Sequence, residues 1–257
     1  MVGDSLGDRM KRHEEATHFI LPPRTYTICR VDGKNFHNFT KECTKPFDEL
    51  LMDAFEQTAI NMFRKMSGVL MTYQQSDEIS IILQDFKAHN TEPWMGGIIQ
   101  KQASVAASIA TAIINMHYKS SEMAMFDART FTIGSVHEVK NYLIWRQQDA
   151  TRNSINMAAS SIFSHKSLHG LSSLERQEKM FEERDINWNN YSTRCKHGSC
   201  TIKQYFTGPI TYVDSAGKQI TIPNKEQSRI ISDTEIPIFT SNEGQEYLNK
   251  HLSIDEQ

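Results

Sequence analysis

The stretch YQQSDEISIIL, residues 73–83, decides how the rest of the chain is interpreted. Polar residues run into two adjacent carboxylates, Asp77 and Glu78, and a run of β-branched and aliphatic residues follows at once. Residues 68–86 therefore predict two strands joined at 74–77. Carboxylates are rare at the mouth of a buried strand unless a cation or another group neutralises them. Two acids at this turn therefore indicate a functional site.

The segments around this hairpin extend it into a larger sheet. The spacing of apolar residues predicts strands at 24–33 and 126–134, and helices at 9–19, 46–66 and 96–119. From residue 24 the order is strand, helix, strand, strand, helix, strand, which is the split βαβ or ferredoxin-like pattern. The sequence therefore predicts an α+β domain with an antiparallel sheet and helices on one face.

The chain changes character after residue 137. Residues 138–164 predict one long helix dense in polar and amide groups, and residues 171–185 a second, charged helix. Residues 186–206 begin as a loop and become a strand, and residues 210–223 predict a hairpin that turns at Ala216 and Gly217. We expect the first eight residues and the tail after Asn249 to be loose.

Composition and charge restrict the class of protein. The chain has 257 residues and a net charge of −3, so any polyanion site must be a local basic patch. Its four cysteines, without a signal peptide, predict free thiols in a reducing compartment. No apolar run approaches the roughly 20 residues of a membrane span. We therefore expect a soluble cytoplasmic protein with no membrane association.

Two predicted strand ends bring acids together. Asp32 ends the first strand, and Asp77 follows 45 residues later. In a split βαβ sheet the first and third strands are adjacent and antiparallel, so Asp32 would face Asp77 and Glu78. Facing carboxylates call for cations, and an all-oxygen set suits Mg²⁺. Gly33 has no side chain to cover its backbone, so its carbonyl is a further candidate metal ligand.

Basic side chains near these acids leave two interpretations open. In the structural one, the acids cap turns or pair with Arg30, Lys34 or Arg129. In the catalytic one, two Mg²⁺ ions activate an attacking oxygen and stabilise a leaving one. Lys34, Lys45, Lys101 and Arg129 are then available to contact phosphate.

A series of motifs resembles the tRNA(His) guanylyltransferase family. The motifs are RVDGKNFHNF (30–39), TKPFDELL (44–51), YQQSDEIS (73–80), FDAR (126–129), YLIWRQQDATRNS (142–154) and INWNNY (186–191). They follow one another in the order and spacing of that family, over about residues 9–206. The resemblance implies a polymerase- or cyclase-type palm that adds nucleotides to tRNA 5′ ends in the 3′-to-5′ direction.

The resemblance implies roles for individual residues. Asp32, the Gly33 carbonyl and Asp77 would hold two Mg²⁺ ions, and Glu78 matches a further catalytic acid of the family. The implied nucleotide-binding residues are Asp32, Gly33, Lys34, Asn35, Phe36, His37, Lys45, Ser76, Asp77, Lys101 and Arg129. The substrates implied are ATP, GTP or other nucleoside triphosphates, and tRNA. Residues 1–137 would form the catalytic domain with its N-terminal helix, and residues 138–257 would bind tRNA and mediate assembly into a homotetramer.

One motif departs from the family. Where the histidine-specific branch carries His-Ile-Asn, this chain has Thr151, Arg152 and Asn153. It resembles instead the "-like protein" branch, which repairs truncated tRNA 5′ ends by templated addition. The alternative is addition of one guanosine specifically to tRNA(His). The mechanism implied begins with activation of a 5′-monophosphate by ATP or GTP. The 3′-hydroxyl of a second nucleotide then attacks the activated phosphate.

The segment CKHGSC, residues 195–200, allows two further interpretations. Zinc binding by Cys195, His197 and Cys200 is disfavoured because the spacing is not that of known paired-cysteine sites. Arg194 and Lys196 form a small basic patch that would contact RNA phosphate, and a solvated strand edge is the alternative. With Arg152 and Asn153, they are the predicted RNA-binding residues.

Two other functions remain open from sequence. A nucleotide cyclase built on a similar palm would need no RNA and would leave the amide-rich helix at 138–164 without a role. A non-catalytic RNA-binding module would have no use for buried acids such as Asp32 and Asp77.

Overall fold

A computed structural model of the protein describes residues 5–213, 215 and 217–253. Its strands are β1 Tyr26–Gly33, β2 Val69–Gln75, β3 Glu78–Leu83, β4 Phe126–Ile133, β5 Ser199–Val213 and β6 Gln219–Asp233. Within the described residues they form one sheet in the order β4-β1-β3-β2-β5-β6, and every neighbouring pair is antiparallel. The first four strands have the order of a split βαβ fold, which confirms the predicted fold class.

The helices fill the segments between these strands. They are α1 Leu6–Glu15, α2 Phe36–Phe39, α3 Glu49–Lys65, α4 Ile99–His117, α5 Val136–Ser160, α6 His165–Leu168, α7 Ser173–Arg184, α8 Thr193–His197 and α9 Asn242–Leu252. Local signals fix several helix starts: Asp48 and Ser135 cap α3 and α5, and Ser172 forms a capping box with Glu175 at α7. Among the described residues no helix is long and apolar enough to cross a membrane.

Each face of the sheet has its own apolar core. On one face, side chains such as Val31 and Ile79 pack with Phe55 of α3 and Ile114 of α4. The other face is covered by the C-terminal region, where α5 and α9 pack on a cluster that includes Ile28, Tyr73, Ile82, Leu143 and Leu248. Helices α3 and α4 therefore share one face as predicted, and α5 and α9 cover the opposite one, while α6 and α7 pack with the end of α5 in a third cluster.

The C-terminal hairpin is longer than predicted. We expected a hairpin over 210–223, but β5 and β6 are 15 residues each, and β5 pairs with β2 through Thr72 and Thr201. The strands between 203 and 229 are mostly exposed on both faces, so they lack the alternation that marks a half-buried strand. Ala216, the predicted turn residue, lies outside the described residues, while Gly217 has a φ of +80°.

Both predicted loose ends are partly wrong. Helix α1 begins at Leu6 because the Ser5 side chain accepts a hydrogen bond from the Asp8 N–H group. Helix α9 continues to Leu252, since Ser241 caps its start and its leucines are buried in the second core. Residues 1–4 and 254–257 lie outside the described residues. The predicted loop after residue 186 also contains the short helix α8.

Candidate active site

The two aspartates predicted to meet lie at adjoining ends of β1 and the β2–β3 turn. Asp32 is the register partner of Glu78, and the Gly33 N–H group donates to the carbonyl of Asp77 at 3.1 Å. Ser76 adopts a φ of +50°, which makes the tight turn that carries Asp77. A Cβ atom at Gly33 would lie 2.8 Å from an Asp77 carboxylate oxygen and 2.3 Å from the Phe36 ring. Glycine is therefore required for this close approach.

Electrostatics set Asp77 apart as a candidate metal ligand. Burial raises the pKa of its carboxyl, and the negative charge of Asp32 raises that pKa further. A divalent cation between the two groups would relieve this repulsion. Among the described residues no cluster of three His, Cys, Asp or Glu side chains can hold a metal. Two carboxylates and a backbone carbonyl suit Mg²⁺, which takes its remaining ligands from water and substrate phosphates.

Glu78 shares Arg30 with Asp32, whose carboxylate lies 4.0 Å from the Arg30 guanidinium, but its nearest partner is Arg146. Its carboxylate lies 2.9 Å from a guanidinium nitrogen of Arg146 and 3.6 Å from Nε of Arg30. Burial raises the pKa of Glu78, and the charges of Arg146 and Arg30 oppose that rise. The resemblance implied a catalytic acid at this position, but the structure neutralises its charge with arginine side chains. The pairing with Arg30 was one of the structural alternatives.

A cavity of about 340 Å³ opens beside Asp77. Its size falls within the range of small-molecule sites. Polar side chains that line it include His37, Lys45, Ser76 and Asp77. Helices α3 and α5 contribute both apolar and polar side chains to the wall, namely Leu51, Met52, Phe55, Glu56, Ala150, Asn153, Ser154 and Met157. A wall that mixes apolar side chains with carboxylates and basic groups suits a ligand with a flat apolar part and an anionic part.

The loop that carries Lys45 into this cavity is held by Asp48. The Asp48 carboxylate accepts hydrogen bonds from the N–H groups of Thr44 and Leu51, both at 2.9 Å, and from the Tyr118 hydroxyl at 3.3 Å. Burial acts to raise the pKa of Asp48, but these hydrogen bonds outweigh burial and lower that pKa. The loop is therefore fixed by a carboxylate that stays ionised at neutral pH.

The predicted nucleotide-binding residues divide into two groups. Phe36, His37, Lys45, Ser76 and Asp77 line the cavity, and Asp32 and Gly33 adjoin it through Asp77. The others lie away from the cavity wall. Exposed positions are occupied by Lys34, Asn35, Lys101 and Arg129. Arg129 lies 4.0 Å from the Asp127 carboxylate. Both residues belong to the edge strand β4, and both side chains are open to solvent.

The predicted RNA-binding residues are also dispersed. Asn153 lines the cavity, whereas Arg152 is exposed and pairs with Asp149 at 2.6 Å. Lys196 donates to the carbonyl of Asn189 at 2.7 Å. Arg194 lines the cavity wall and is surrounded by carboxylates of α3, namely Asp53 at 2.7 Å, Glu56 at 2.9 Å and Glu49. A phosphate contact by Arg194 would have to compete with these three acids.

The segment CKHGSC does not converge on one point. The thiol of Cys195 contacts Ser192, while Cys200 is fully buried in β5 and burial raises the pKa of its thiol. His197 turns to α5, where its Nδ1 lies 3.0 Å from the hydroxyl of Thr151. All four cysteines of the chain are buried, unpaired thiols, as predicted. Thr151, the position where the resemblance implies a histidine in the histidine-specific branch, thus contacts His197.

Sequence reasoning missed several residues of the site. Gln74 and Ser199, on the adjacent strands β2 and β5, both line the cavity and are buried. Gln74 lies in the motif YQQSDE, where an amide in an otherwise apolar strand was a usable signal. Arg146 lies 68 residues from Glu78 in sequence, so nothing local indicated that pairing.

Relatives of known sequence share most of this chain. Residues 7–134 match the sequence profile of a family described as tRNAHis guanylyltransferase. The tRNA(His) guanylyltransferase of Kluyveromyces lactis is 30% identical over 225 residues, which cover 77% of this chain and 89% of the relative. An uncharacterized protein of Acanthamoeba polyphaga mimivirus is 30% identical over 231 residues, or 79% of each chain.

Solved structures share the fold over nearly the whole chain. A bacterial tRNA(His) guanylyltransferase (Thg1)-like protein in complex with ATP matches with a TM-score of 0.84 and 38% identity, covering 98% of this chain and 100% of that one. The same kind of protein in complex with GTP matches with a TM-score of 0.79 and 37% identity, covering 97% and 99%.

Proposed function

The chain belongs to the tRNA(His) guanylyltransferase family of nucleotidyltransferases, and on that premise we propose that it adds nucleotides to tRNA 5′ ends in the 3′-to-5′ direction. The observation that carries this proposal is Asp77, which lines a cavity of about 340 Å³ together with a lysine and a histidine and interacts with the charge of Asp32. Solved relatives that hold ATP and GTP support nucleotides as the occupants of this cavity.

The reaction would take place in the cavity that Asp77 lines. An oxygen of the RNA 5′-monophosphate attacks the α-phosphorus of ATP or GTP, which releases pyrophosphate and joins the two through a 5′–5′ linkage. The 3′-hydroxyl of a second nucleotide then attacks the RNA 5′-phosphorus and releases the nucleoside monophosphate. Two Mg²⁺ ions, held by Asp32, Asp77 and the Gly33 carbonyl, would supply positive charge to the attacking and leaving oxygens.

The protein's own groups position the reactants. Lys45 and His37 line the same cavity as Asp77, and the Lys45 ammonium donates to the carbonyl of Thr40 at 3.0 Å. In the proposed reaction these two side chains would hold phosphate oxygens against the reacting phosphorus. The apolar side chains of α3 and α5 on the wall would displace water from a bound nucleotide, which would strengthen the charge contacts made there. Catalysis by this arrangement depends on positioning and charge neutralisation, as in other phosphoryl transfers.

The natural reaction is proposed to be templated repair of truncated tRNA 5′ ends. Its support is Thr151, which occupies the place of a histidine in the histidine-specific branch and forms a hydrogen bond with His197. The neighbouring Arg152 is tied to Asp149 rather than free for a base. Addition of guanosine specifically to tRNA(His) is the alternative, and the names of the fungal relatives support it.

One incubation tests the proposal. A 5′-monophosphorylated tRNA that lacks its first nucleotide is supplied with Mg²⁺, ATP and labelled nucleotides. We expect restoration of the nucleotide that pairs with the opposite strand, together with release of AMP that depends on the 5′-phosphate. A cyclase would consume ATP without RNA, and a binding module would release no AMP. Either result would overturn the proposal.

We further propose that the enzyme assembles as a homotetramer in the cytoplasm. The exposed faces of β5 and β6 offer aromatic and aliphatic side chains, including Tyr205, Phe206 and Tyr212, to a neighbouring copy. Light scattering of the purified protein at working concentration measures the assembly directly. A monomer at that concentration would exclude the tetramer.

A further inference from the structure

The proposed reaction gives no role to Glu78, the acid next to Asp77. Glu78 is buried and lies outside the wall of the cavity that Asp77 lines. Both of its carboxylate oxygens are engaged: Oε2 lies 2.9 Å from Arg146, and Oε1 accepts a hydrogen bond from the Ser80 hydroxyl at 3.4 Å. A carboxylate that is held through both oxygens is poorly placed to bind a metal ion. Any effect of Glu78 on the active site is therefore expected to pass through another residue.

Arg30 connects Glu78 to the proposed metal site. Arg30 and Asp32 share one face of β1, because side chains two residues apart on a strand point the same way, and Asp32 is the register partner of Glu78. The Arg30 guanidinium contacts both acids: its Nε atom lies 3.6 Å from the Glu78 carboxylate, and a terminal nitrogen lies 4.0 Å from the Asp32 carboxylate. A metal ligand and a buried acid thus compete for one guanidinium.

The Arg30 guanidinium is held by charge and not by a hydrogen bond at Nε. That atom is buried and has no hydrogen-bond partner in the part of the chain that the structure describes. Both carboxylate contacts are longer than the roughly 2.7–2.9 Å of a charge-assisted hydrogen bond. The side chain's position therefore depends on the balance of attraction between the two acids. Glu78 has the shorter contact, and its side chain is 9% exposed against 36% for Asp32, so water screens its charge less.

Arg146 fixes Glu78 in place and still leaves charge for Arg30. A second guanidinium nitrogen of Arg146 lies 2.9 Å from the Asp149 carboxylate, and the guanidinium lies 3.7 Å from the centre of the Trp145 ring. Arg146 therefore shares its positive charge between two carboxylates. The part of the Glu78 charge that Arg146 does not neutralise attracts Arg30.

We propose that Glu78 is a positioning residue that restrains Arg30 and so leaves the Asp32 carboxylate free for a metal ion, an inference that rests on the proposed metal site. Without the Glu78 charge, Arg30 would close the 4.0 Å gap to Asp32 and pair with it directly. A guanidinium bound there would compete with the cation for the same oxygens. Glu78 thus acts through Arg30, without contact with metal or substrate.

Binding of Mn²⁺ alone, followed by electron paramagnetic resonance of the free ion, tests this inference without turnover. Mn²⁺ takes the same oxygen ligands as Mg²⁺. Glu78→Gln keeps the shape of the side chain and removes its charge. We expect its Mn²⁺ affinity to fall about fivefold, the effect of a competing ion pair on a partly exposed carboxylate. The double variant Glu78→Gln with Arg30→Met should recover the parental affinity, because the competing guanidinium is gone.

A matched control separates direct contact from net charge. Arg129 is the register partner of Arg30 on β4, so Arg129→Met in the Glu78→Gln background removes the same charge from the neighbouring strand. This double variant should keep the weakened affinity. Equal recovery by both double variants would show that only net charge matters and would overturn the inference. So would parental affinity in Glu78→Gln, or a loss that Arg30→Met does not reverse, which is the behaviour of a metal ligand.

The single variant Arg30→Met keeps the test decisive if Glu78→Gln does not fold. In this variant Arg146 still neutralises the buried charge of Glu78. If Arg30 competes with the metal, Arg30→Met should bind Mn²⁺ at least as tightly as the parent. Weaker binding by Arg30→Met, in a protein with the parental circular dichroism spectrum, would show that Arg30 supports the metal site and would overturn the inference.

Failure of the proposed metal site would show differently. Asp77→Asn removes a ligand outright, so it should weaken Mn²⁺ binding more than any Glu78 variant does. If the parent binds no Mn²⁺, or if Asp77→Asn binds it as tightly as the parent, the metal site at Asp32 and Asp77 is refuted and this inference falls with it. If Asp77→Asn loses Mn²⁺ while Glu78→Gln binds it normally, the metal site stands and the restraint of Arg30 is refuted.

Discussion

Replacing Arg146 with methionine should destabilise the protein by leaving a buried negative charge on Glu78. Both side chains are almost inaccessible, at 6% exposure for Arg146 and 9% for Glu78, and their charged atoms lie 2.9 Å apart. Removing one partner of such a pair costs about 3–5 kcal/mol. Because Arg30 remains 3.6 Å from Glu78, we expect the free energy of unfolding to fall by about 3 kcal/mol, the lower end of that range.

Guanidinium chloride unfolding measures this loss, and a double-mutant cycle assigns it to the pair. Glu78→Gln in the Arg146→Met background removes the stranded charge, so it should recover more than about 1.5 kcal/mol relative to the single variant. Arg152→Met is the matched control on the same helix. The Arg152 side chain that pairs with Asp149 is 55% exposed, so Arg152→Met should lower the free energy of unfolding by less than about 1 kcal/mol.

The pH dependence of the same variant follows from the pKa of Glu78. Burial raises the pKa of Glu78, and Arg146 acts to lower it, so that pKa should rise further once Arg146 is gone. A raised acid pKa favours the protonated form in the folded state, so its stabilising effect is present at low pH and lost as pH rises. The loss caused by Arg146→Met should therefore shrink on acidification. A loss under about 1 kcal/mol at pH 7.5, with no coupling in the cycle, would refute the buried pair.

Three further outcomes are expected. The double variant Arg152→Ala with Lys196→Ala should bind tRNA more weakly, and its salt dependence should flatten by up to about two units of slope. Its ATP affinity, titrated in parallel, should be unchanged. An unchanged slope would exclude phosphate contacts by both residues. Burial lowers the pKa of His251 to about 4, and Lys250 adds to this effect. The stability that neutral His251 contributes is complete above pH 6.5 and is lost as pH falls towards 4. Between pH 7 and pH 5, the free energy of unfolding of His251→Gln in urea should therefore fall by about 1 kcal/mol less than that of the parent. Equal losses in the two proteins would contradict this. Nucleotide addition should follow the opposite base in several tRNA species, and loss of activity when the histidine anticodon is exchanged would contradict templated repair.

The palm was predictable because its signals are local. The alternation in 24–33, the helical spacing in 46–66 and the turn at 74–77 each mark one element, and the split βαβ order then fixes which strands are neighbours. That order alone placed Asp32 beside the β2–β3 turn, and the close approach of Gly33 to Asp77 bears this out.

The features that sequence did not reveal depend on distant contacts. Asp77 and Glu78 are neighbours in sequence, yet Asp77 lies in the turn beside Asp32 while Glu78 begins β3 and pairs with Arg146 of α5. Adjacent acids in a motif therefore do not share an environment. The length of β5 and β6 was missed because exposed strands carry no hydrophobic alternation.

The most direct test of the proposed active site is the turnover of Asp77→Asn on 5′-monophosphorylated tRNA that lacks its first nucleotide. The variant loses a carboxylate that would hold metal beside Asp32, and the loss should cost at least about 3 kcal/mol of transition-state stabilisation, or more than a hundredfold in rate. Its folding stability should be equal to that of the parent or higher, because burial and, to a lesser extent, the charge of Asp32 raise the pKa of Asp77, and asparagine removes the buried charge. A hundredfold slower enzyme that melts at or above the parent's temperature is the predicted result. Near-normal turnover would remove Asp77 from the catalytic centre and contradict the proposal.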